Sequence, residues 1–194
     1  MLNLVLFGPP GAGKGTQSQK LIDHYQLEHI STGDLFRAHI SNQTDLGKQV
    51  SRLIADGELV PDSITIAMLE EEIDKNPQAK GFIFDGFPRT VAQAEALDRF
   101  LESKETAITG VIALNVTEEE LTVRIAKRKV VSNRADDDSE KLKKRIDEYF
   151  SKTIHVLPYY EQQGKLTKVN GIGEIDTIFE EIKTVVDGWL PDSR

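Results

Sequence analysis

The chain contains no cysteine. That excludes disulfides, a cysteine zinc site and a thiol nucleophile, and it agrees with a reducing compartment. No apolar stretch approaches membrane-spanning length. The first residues show no basic start followed by a cleavable apolar run. Positive charge is in the minority: Lys+Arg is 24 against 32 Asp+Glu, for a net charge of −8. A general nucleic-acid binder would usually carry a basic face, so nucleic acid is not the expected partner. If the chain handles polyphosphates, its cations must be gathered locally. The histidines (His24, His29, His39, His155) show no metal-ligand spacing and are expected to be structural. There is no internal repeat and no low-complexity segment. The expectation for 194 residues is a soluble cytoplasmic protein with one core and small inserted lobes.

What is present is organised around Leu2 to Thr16. An apolar run of strand length enters the loop Gly8-Pro9-Pro10-Gly11-Ala12-Gly13-Lys14, and Gln17 to Tyr25 follows as a helix. Strand, glycine loop, helix is the context of a phosphate-binding loop. Glycines there let the backbone turn its N–H groups inward, and the helix start adds its positive end. Lys14 is expected in a solvent-facing cavity, reaching the outer phosphates. One position departs from the usual pattern. The residue after the lysine is Gly15, where a Ser or Thr hydroxyl ordinarily ligates magnesium, and Thr16 comes one later. Magnesium is therefore expected to be held by nucleotide phosphates and water.

Strands and helices alternate along the rest of the chain. Strands are expected at Glu28 to Ile30, Gly81 to Asp85, Gly110 to Val116 and Lys165 to Val169. Between them, polar caps at Ser31 to Asp34 and at Thr117 open helices, and Thr90 to Leu101 reads as another helix. One long helix is expected from Ser139 to Gln163, kinked or restarted at Pro158, and a last one from Ile175 to Trp189. Buried strands alternating with helices predict an α/β fold, a parallel sheet with helices on both faces. Two segments break the alternation, Ser31 to Val60 and Val130 to Asp138. Both read as inserts, where binding usually sits.

Three more stretches align with the loop: Ser31-Thr32-Gly33-Asp34-Leu35-Phe36-Arg37, Asp85-Gly86-Phe87-Pro88-Arg89-Thr90 with Gln93, and Asn133-Arg134-Ala135-Asp136-Asp137. Together they closely resemble the adenylate kinase family in its short-lid form, in order over nearly the whole chain. The resemblance implies a P-loop three-layer fold with a five-stranded parallel sheet, a helical AMP-binding lobe at 31–60 and a lid at 129–138. The core would be 1–30, 61–128 and 139–194. It implies the reaction ATP + AMP ⇌ 2 ADP with Mg²⁺, no zinc, and a monomer whose partners are ATP, AMP and ADP, with no membrane. Asn133 stands where the short-lid pattern usually has Gly, and Asn170 where Asp is common.

The residues sort by charge and place. Guanidinium forks suit phosphate oxygens, so Arg37 and Arg89 are candidates for the AMP phosphate. The resemblance adds Thr32, the Glu58-Leu59-Val60 backbone, Gly86, Phe87, Pro88 and Gln93 to that pocket. The ATP side takes Gly11, Ala12, Gly13, Lys14, Gly15 and Thr16. Arg124 and Arg128 are four apart on one helix face, which alone reads as a solvated basic run; their position before the lid and the resemblance put them on the ATP side. By resemblance the Gly173 backbone lies at the adenine, and Arg134 and Arg145 complete the cage around the transferred group. Asp85, ending an apolar strand, is placed to orient magnesium's water shell. Asp136 and Asp137 read as lid partners. Lys127, Lys129, Lys141, Lys143 and Lys144 read as surface charges. Phe82, Phe84 and Phe87 read as packing.

The nearest rival is a UMP/CMP kinase, which tends to have Ala at the Thr32 position and Asn at the Gln93 position. The acceptor motifs of guanylate kinase do not occur. Nor does an Asn-Lys-x-Asp motif, as a nucleotide switch would show. A nonenzymatic nucleotide sensor is disfavoured by the intact Lys14, Arg89, Arg128 and Arg134.

Overall fold

A computed structural model describes residues 1–56, 58, 60–131 and 139–191, without the side chains of 54, 128–131, 139 and 141. Five strands run β1 (Leu2–Phe7), β2 (Glu28–Ser31), β3 (Gly81–Asp85), β4 (Gly110–Asn115) and β5 (Leu166–Asn170). They form one sheet in the order β2-β3-β1-β4-β5, and every pairing is parallel. β1 sits at the centre and all six of its residues are buried. The edge strands β2 and β5 are partly exposed. A parallel sheet buried on both faces demands the near-continuous apolar runs seen in β1, β3 and β4.

The helices are α1 (Lys14–Tyr25), α2 (Thr32–Ser41), α3 (Asp45–Ala55), α4 (Asp62–Lys75), α5 (Val91–Ser103), α6 (Glu118–Val131), α7 (Ser139–Ser151), α8 (Leu157–Gln162) and α9 (Ile175–Trp189). Strand side chains alternate between faces, so β1 feeds two cores. Val5 and Phe7 pack with Leu69 of α4, Leu97 and Leu101 of α5 and Tyr160 of α8. Leu2, Leu4 and Leu6 pack with Leu21 of α1 and with Ile182 and Val186 of α9. The chain is therefore a three-layer α/β fold with helices on both faces of the sheet. At the sheet's centre the connection leaving β1 runs toward the β2 edge, whereas those leaving β3 and β4 run toward the β5 edge. That switch point opens a crevice at the strands' C-terminal ends, where α/β sheets bind ligands.

Local chemistry explains most boundaries. Ser31 accepts from the Asp34 N–H and Thr90 from the Gln93 N–H (3.1 Å), so each caps the helix after it. The Thr117 hydroxyl does the same for the Glu120 N–H, with Glu118, Glu119 and Glu120 in the first turn. Two expectations need correction. The helix expected from Ser139 to Gln163 is three pieces: α7, a 3₁₀ turn at Thr153–Val156, and α8 with Pro158 in its first turn. The break comes at Lys152, where φ −125° and ψ −61° leave the helical region, six residues before the proline. Second, Val130 and Val131, expected in the polar insert, are the last residues of α6. The expectations for the rest of the lid, including Asn133, Arg134, Asp136 and Asp137, lie outside the described residues. So do those for Leu59 and for the Arg128 side chain.

Candidate active site

The loop after β1 is built for an anion. The Ala12 N–H donates to the Pro9 carbonyl (3.0 Å) and closes a turn. Gly13 then adopts φ 92°, a left-handed conformation that glycine takes without strain, and starts α1. The first helical bond is from the Gln17 N–H to the Gly13 carbonyl (3.0 Å), and no side chain caps the helix. The N–H groups of Lys14, Gly15 and Thr16 thus have no helical acceptor, and the positive end of α1 faces the crevice. Gly15 and Thr16 are exposed.

Lys14 lies along the loop, close to Gly8, where an added Cβ would come within 3.3 Å of the Lys14 Cγ. It is half-buried and lines the cleft between the two loops. Burial holds its ammonium below the ordinary lysine value. The Asp85 carboxylate opposes that shift, while the nearby Arg89 and Arg145 add to it. Three cations and one carboxylate thus share one field. Lys14, Arg89 and Arg145 line the same cleft, of about 220 Å³, against the apolar walls of Phe7, Phe87 and Tyr149. Cations gathered in a partly dry cleft attract an anion more strongly than in water.

The turn after β3 forms the opposite wall. The Phe87–Pro88 peptide is cis. Gly86 at φ 74° turns its carbonyl toward two donors, the Thr32 hydroxyl (3.3 Å) and the Arg89 Nε (2.8 Å). The Gln93 side chain bridges away from the turn, its Oε1 accepting from the Arg89 N–H (2.8 Å) and its Nε2 donating to Asp62 (2.7 Å). The expected acceptor residues Thr32, Gly86, Phe87, Pro88, Arg89 and Gln93 are therefore brought together. Arg37 is not yet among them. It is exposed and paired with Asp34 on its own helix. Glu58 is exposed and tied through its N–H to the Leu53 carbonyl (2.8 Å).

Arg124 works differently from a simple phosphate-facing cation. Its Nη1 donates to the Gly11 carbonyl (3.3 Å), its Nη2 to the Gly171 carbonyl (2.6 Å) and its Nε to Glu120 (2.8 Å). It clamps the phosphate loop to the β5–α9 loop that carries Gly173. Asn170 accepts from the Ile172 N–H (3.0 Å) in that loop, so the departure at this position keeps a local role.

The sequence reading missed two partners. His29, read as structural, sits beside Asp85 with Nε2 3.3 Å from Oδ2, because β2 and β3 pair with His29 opposite Ile83 and Ser31 opposite Asp85. That hydrogen bond raises the His29 pKa above its ordinary value, against the opposing effect of burial. It is also the main cause holding the Asp85 carboxyl below its ordinary range, with Lys14 and Arg89 assisting. Asp62, to which the sequence reading gave no site role, holds Gln93.

Among the described residues no group of three or more His, Cys, Asp or Glu could cage a metal ion. That leaves no zinc cluster there. It suits magnesium, which keeps several waters and needs only one or two carboxylates beside substrate phosphates. Asp85 is a carboxylate at this crevice, and His29 and Lys14 favour its ionised form.

A phosphate loop on the central strand of a parallel sheet, with cations converging on it, defines a P-loop nucleotide-binding protein. The sequence profile of the family described as adenylate kinase matches residues 6–165. The chain is 50% identical over 188 residues to the adenylate kinase of Flavobacterium psychrophilum, covering 96% of this chain and 99% of that protein. It is 49% identical to that of Flavobacterium johnsoniae over the same shares. It is 46% identical over 187 residues to that of Bacteroides thetaiotaomicron, again with 96% and 99% covered. The chain belongs to the adenylate kinase family, and so to the phosphotransferases. Among the described residues no helix is long and apolar enough to cross a membrane.

Proposed function

We propose that the chain transfers the γ-phosphoryl group of ATP reversibly to AMP, giving two ADP. The observation that carries this reading is the convergence of Lys14, Arg89 and Arg145 on one cleft between the phosphate loop and the Gly86–Arg89 turn. An oxygen of the AMP phosphate attacks the γ-phosphorus. The bond to the β–γ bridging oxygen breaks, and ADP leaves. The attacking oxygen is already anionic, so no base is needed. The difficulty is to hold two polyanions in line and exclude water.

On this reading the loop Gly11 to Thr16 cradles the ATP phosphates. Lys14 follows the charge that develops on transfer, and Arg124, Arg128 and the Gly173 backbone bound the adenosine side. AMP lies against Thr32, Arg37, the Glu58-Leu59-Val60 backbone, the Gly86–Arg89 turn and Gln93. To reach the AMP phosphate, Arg37 must leave Asp34. Arg134 and Arg145 neutralise the transferred group from the far side, and apolar walls such as Phe87 and Tyr149 keep water out. Asp85 would hold magnesium's water shell; when bound, the ion neutralises charge across the β- and γ-phosphates. The lobe at 31–60 and the lid at 129–138 are the parts that close over the core, and a monomer suffices because one chain supplies both pockets.

The test is ADP formation from ATP and Mg²⁺ with AMP, UMP, CMP or GMP as acceptor. We expect AMP to give the highest kcat/KM. Preference for UMP or CMP would replace this reading with the pyrimidine one, and no transfer to any acceptor would remove it.

A further inference from the structure

A glutamine amide presents either its oxygen or its nitrogen to a ligand, since the two ends have the same shape. The surroundings of Gln93 remove that choice. The Arg89 N–H can only donate, and it lies 2.8 Å from Oε1. An ionised carboxylate can only accept, and the Asp62 Oδ1 lies 2.7 Å from Nε2. Reversing the amide would set oxygen against carboxylate and NH₂ against N–H, losing both bonds and creating two repulsive contacts. Asp62 is the first residue of α4, directly after the chain returns from the helical lobe, and Gln93 is in the first turn of α5. The contact spans 31 residues of sequence.

One N–H and one lone pair of the Gln93 amide remain unspent. They stand in a set order, nitrogen on the Asp62 side. The pairing edge of a 6-aminopurine offers a donor at N6 and an acceptor at N1. A 6-oxopurine offers the reverse, an acceptor at O6 and a donor at N1. A freely turning amide satisfies either edge; an amide held in one orientation satisfies one and clashes with the other. We infer that Asp62 is a specificity-determining positioning residue: by fixing the Gln93 amide it makes the acceptor site choose 6-amino- over 6-oxopurine nucleotides. This rests on the proposed reading that Gln93 faces the base of AMP.

The experiment compares kcat/KM for AMP and IMP, which share ribose and phosphate and differ at the pairing edge. The variants are Asp62→Asn, Asp62→Ser and Gln93→Ala. Asn and Ser can each donate or accept, so the restraint from position 62 is lifted and only the Arg89 N–H still favours one Gln93 orientation. Asp62 is exposed, and both substitutes are suited to helix starts, so the fold should survive. In both Asp62 variants the AMP:IMP ratio should fall by about fivefold or more, the scale of one charged hydrogen bond discounted for exposure. It should fall at least as far in Gln93→Ala. A purely structural role for Asp62 would lower both substrates together and leave the ratio unchanged. If the ratio falls in Gln93→Ala but not in the Asp62 variants, the inference is overturned and base reading by Gln93 stands. If it holds in Gln93→Ala, the underlying reading fails and the inference fails with it.

Discussion

The loop after β1 and the turn after β3 leave neighbouring strands at the same end of the sheet, yet they are opposites. The first leaves its backbone donors open. The N–H groups of Lys14, Gly15 and Thr16 precede the first helical bond, and no side chain caps them. The second satisfies itself. The Gly86 carbonyl takes two donors, Thr90 caps Gln93, and Gln93 bridges the Arg89 N–H and Asp62. An open ring of N–H groups binds any phosphate chain. A turn whose polar groups are already partnered can select, because a ligand must match what is left over. The two walls of the cleft thus divide anion capture from recognition.

The sharpest break of that contrast is Lys14→Ala. It removes the cation that backs the open donors while leaving the backbone ring. We expect kcat to fall by about 10²- to 10³-fold, the scale for losing one aimed donor to a developing charge. The melting temperature should change little, since a partly buried cation beside Arg89 and Arg145 is not a strong stabiliser. Wild-type turnover in a folded Lys14→Ala preparation would sink the phosphate-loop assignment. On the other wall, Arg89→Lys keeps the charge but loses the Nε bond to the Gly86 carbonyl and the planar fork. The kcat/KM for AMP should drop on the order of tenfold with the KM for ATP nearly unchanged. An equal rise in both KM values would mean that the walls do not divide their tasks.

How much of this contrast was legible in the sequence depends on the range of the forces involved. The phosphate loop was, because its chemistry is local: strand, glycines and helix start follow one another. So were the cap Thr117 and the bounds of α9, which run Ile175–Trp189 as the pattern predicts. Arg124 was placed by its position before the lid and by the resemblance, but its clamp between Gly11 and Gly171 could not be, since those carbonyls come from different loops. Gln93 was placed by resemblance, while its partner Asp62 left no trace, because a polar contact across 31 residues imposes no periodicity. His29 was misjudged for the same reason: only the β2–β3 register brings it to Asp85. The break at Lys152 was missed because no proline or glycine marks it.

A milder test compares one glycine from each wall. Gly13 and Gly86 both have positive φ, so alanine at either should cost about 1–2 kcal/mol in backbone strain. They differ in what the new methyl meets. At Gly13 nothing lies within 4 Å. At Gly86 the Cβ would stand 3.2 Å from the Thr32 hydroxyl and 3.4 Å from the Arg89 Nη2. Denaturant unfolding should therefore show similar losses, while only Gly86→Ala should raise the KM for AMP. A rise in both variants would show that strain alone disturbs the acceptor wall.

The smallest effect expected is in the pH dependence of stability, through His29 and Asp85. The His29 pKa is raised in the folded protein, mainly by its hydrogen bond to Asp85. Its contribution is therefore fully present below the unfolded value of about 6.5 and is lost as pH rises through the higher folded value. Asp85 is lowered, so its contribution is present above its unfolded value of about 4 and is lost as pH falls through the folded one. The two windows overlap between about pH 4 and 6.5. His29→Gln keeps a donor for the carboxylate but cannot gain a charge. The wild type should thus exceed His29→Gln in stability within that window and approach it once pH has risen through the folded His29 value. The pair is partly exposed, with His29 at 36%, so the difference should stay within about 1 kcal/mol. Unfolding curves of both proteins from pH 4 to 9 measure it. A difference that does not vary with pH would assign the contact to an uncharged hydrogen bond, and would leave Lys14 and Arg89 as the cations that keep Asp85 ionised.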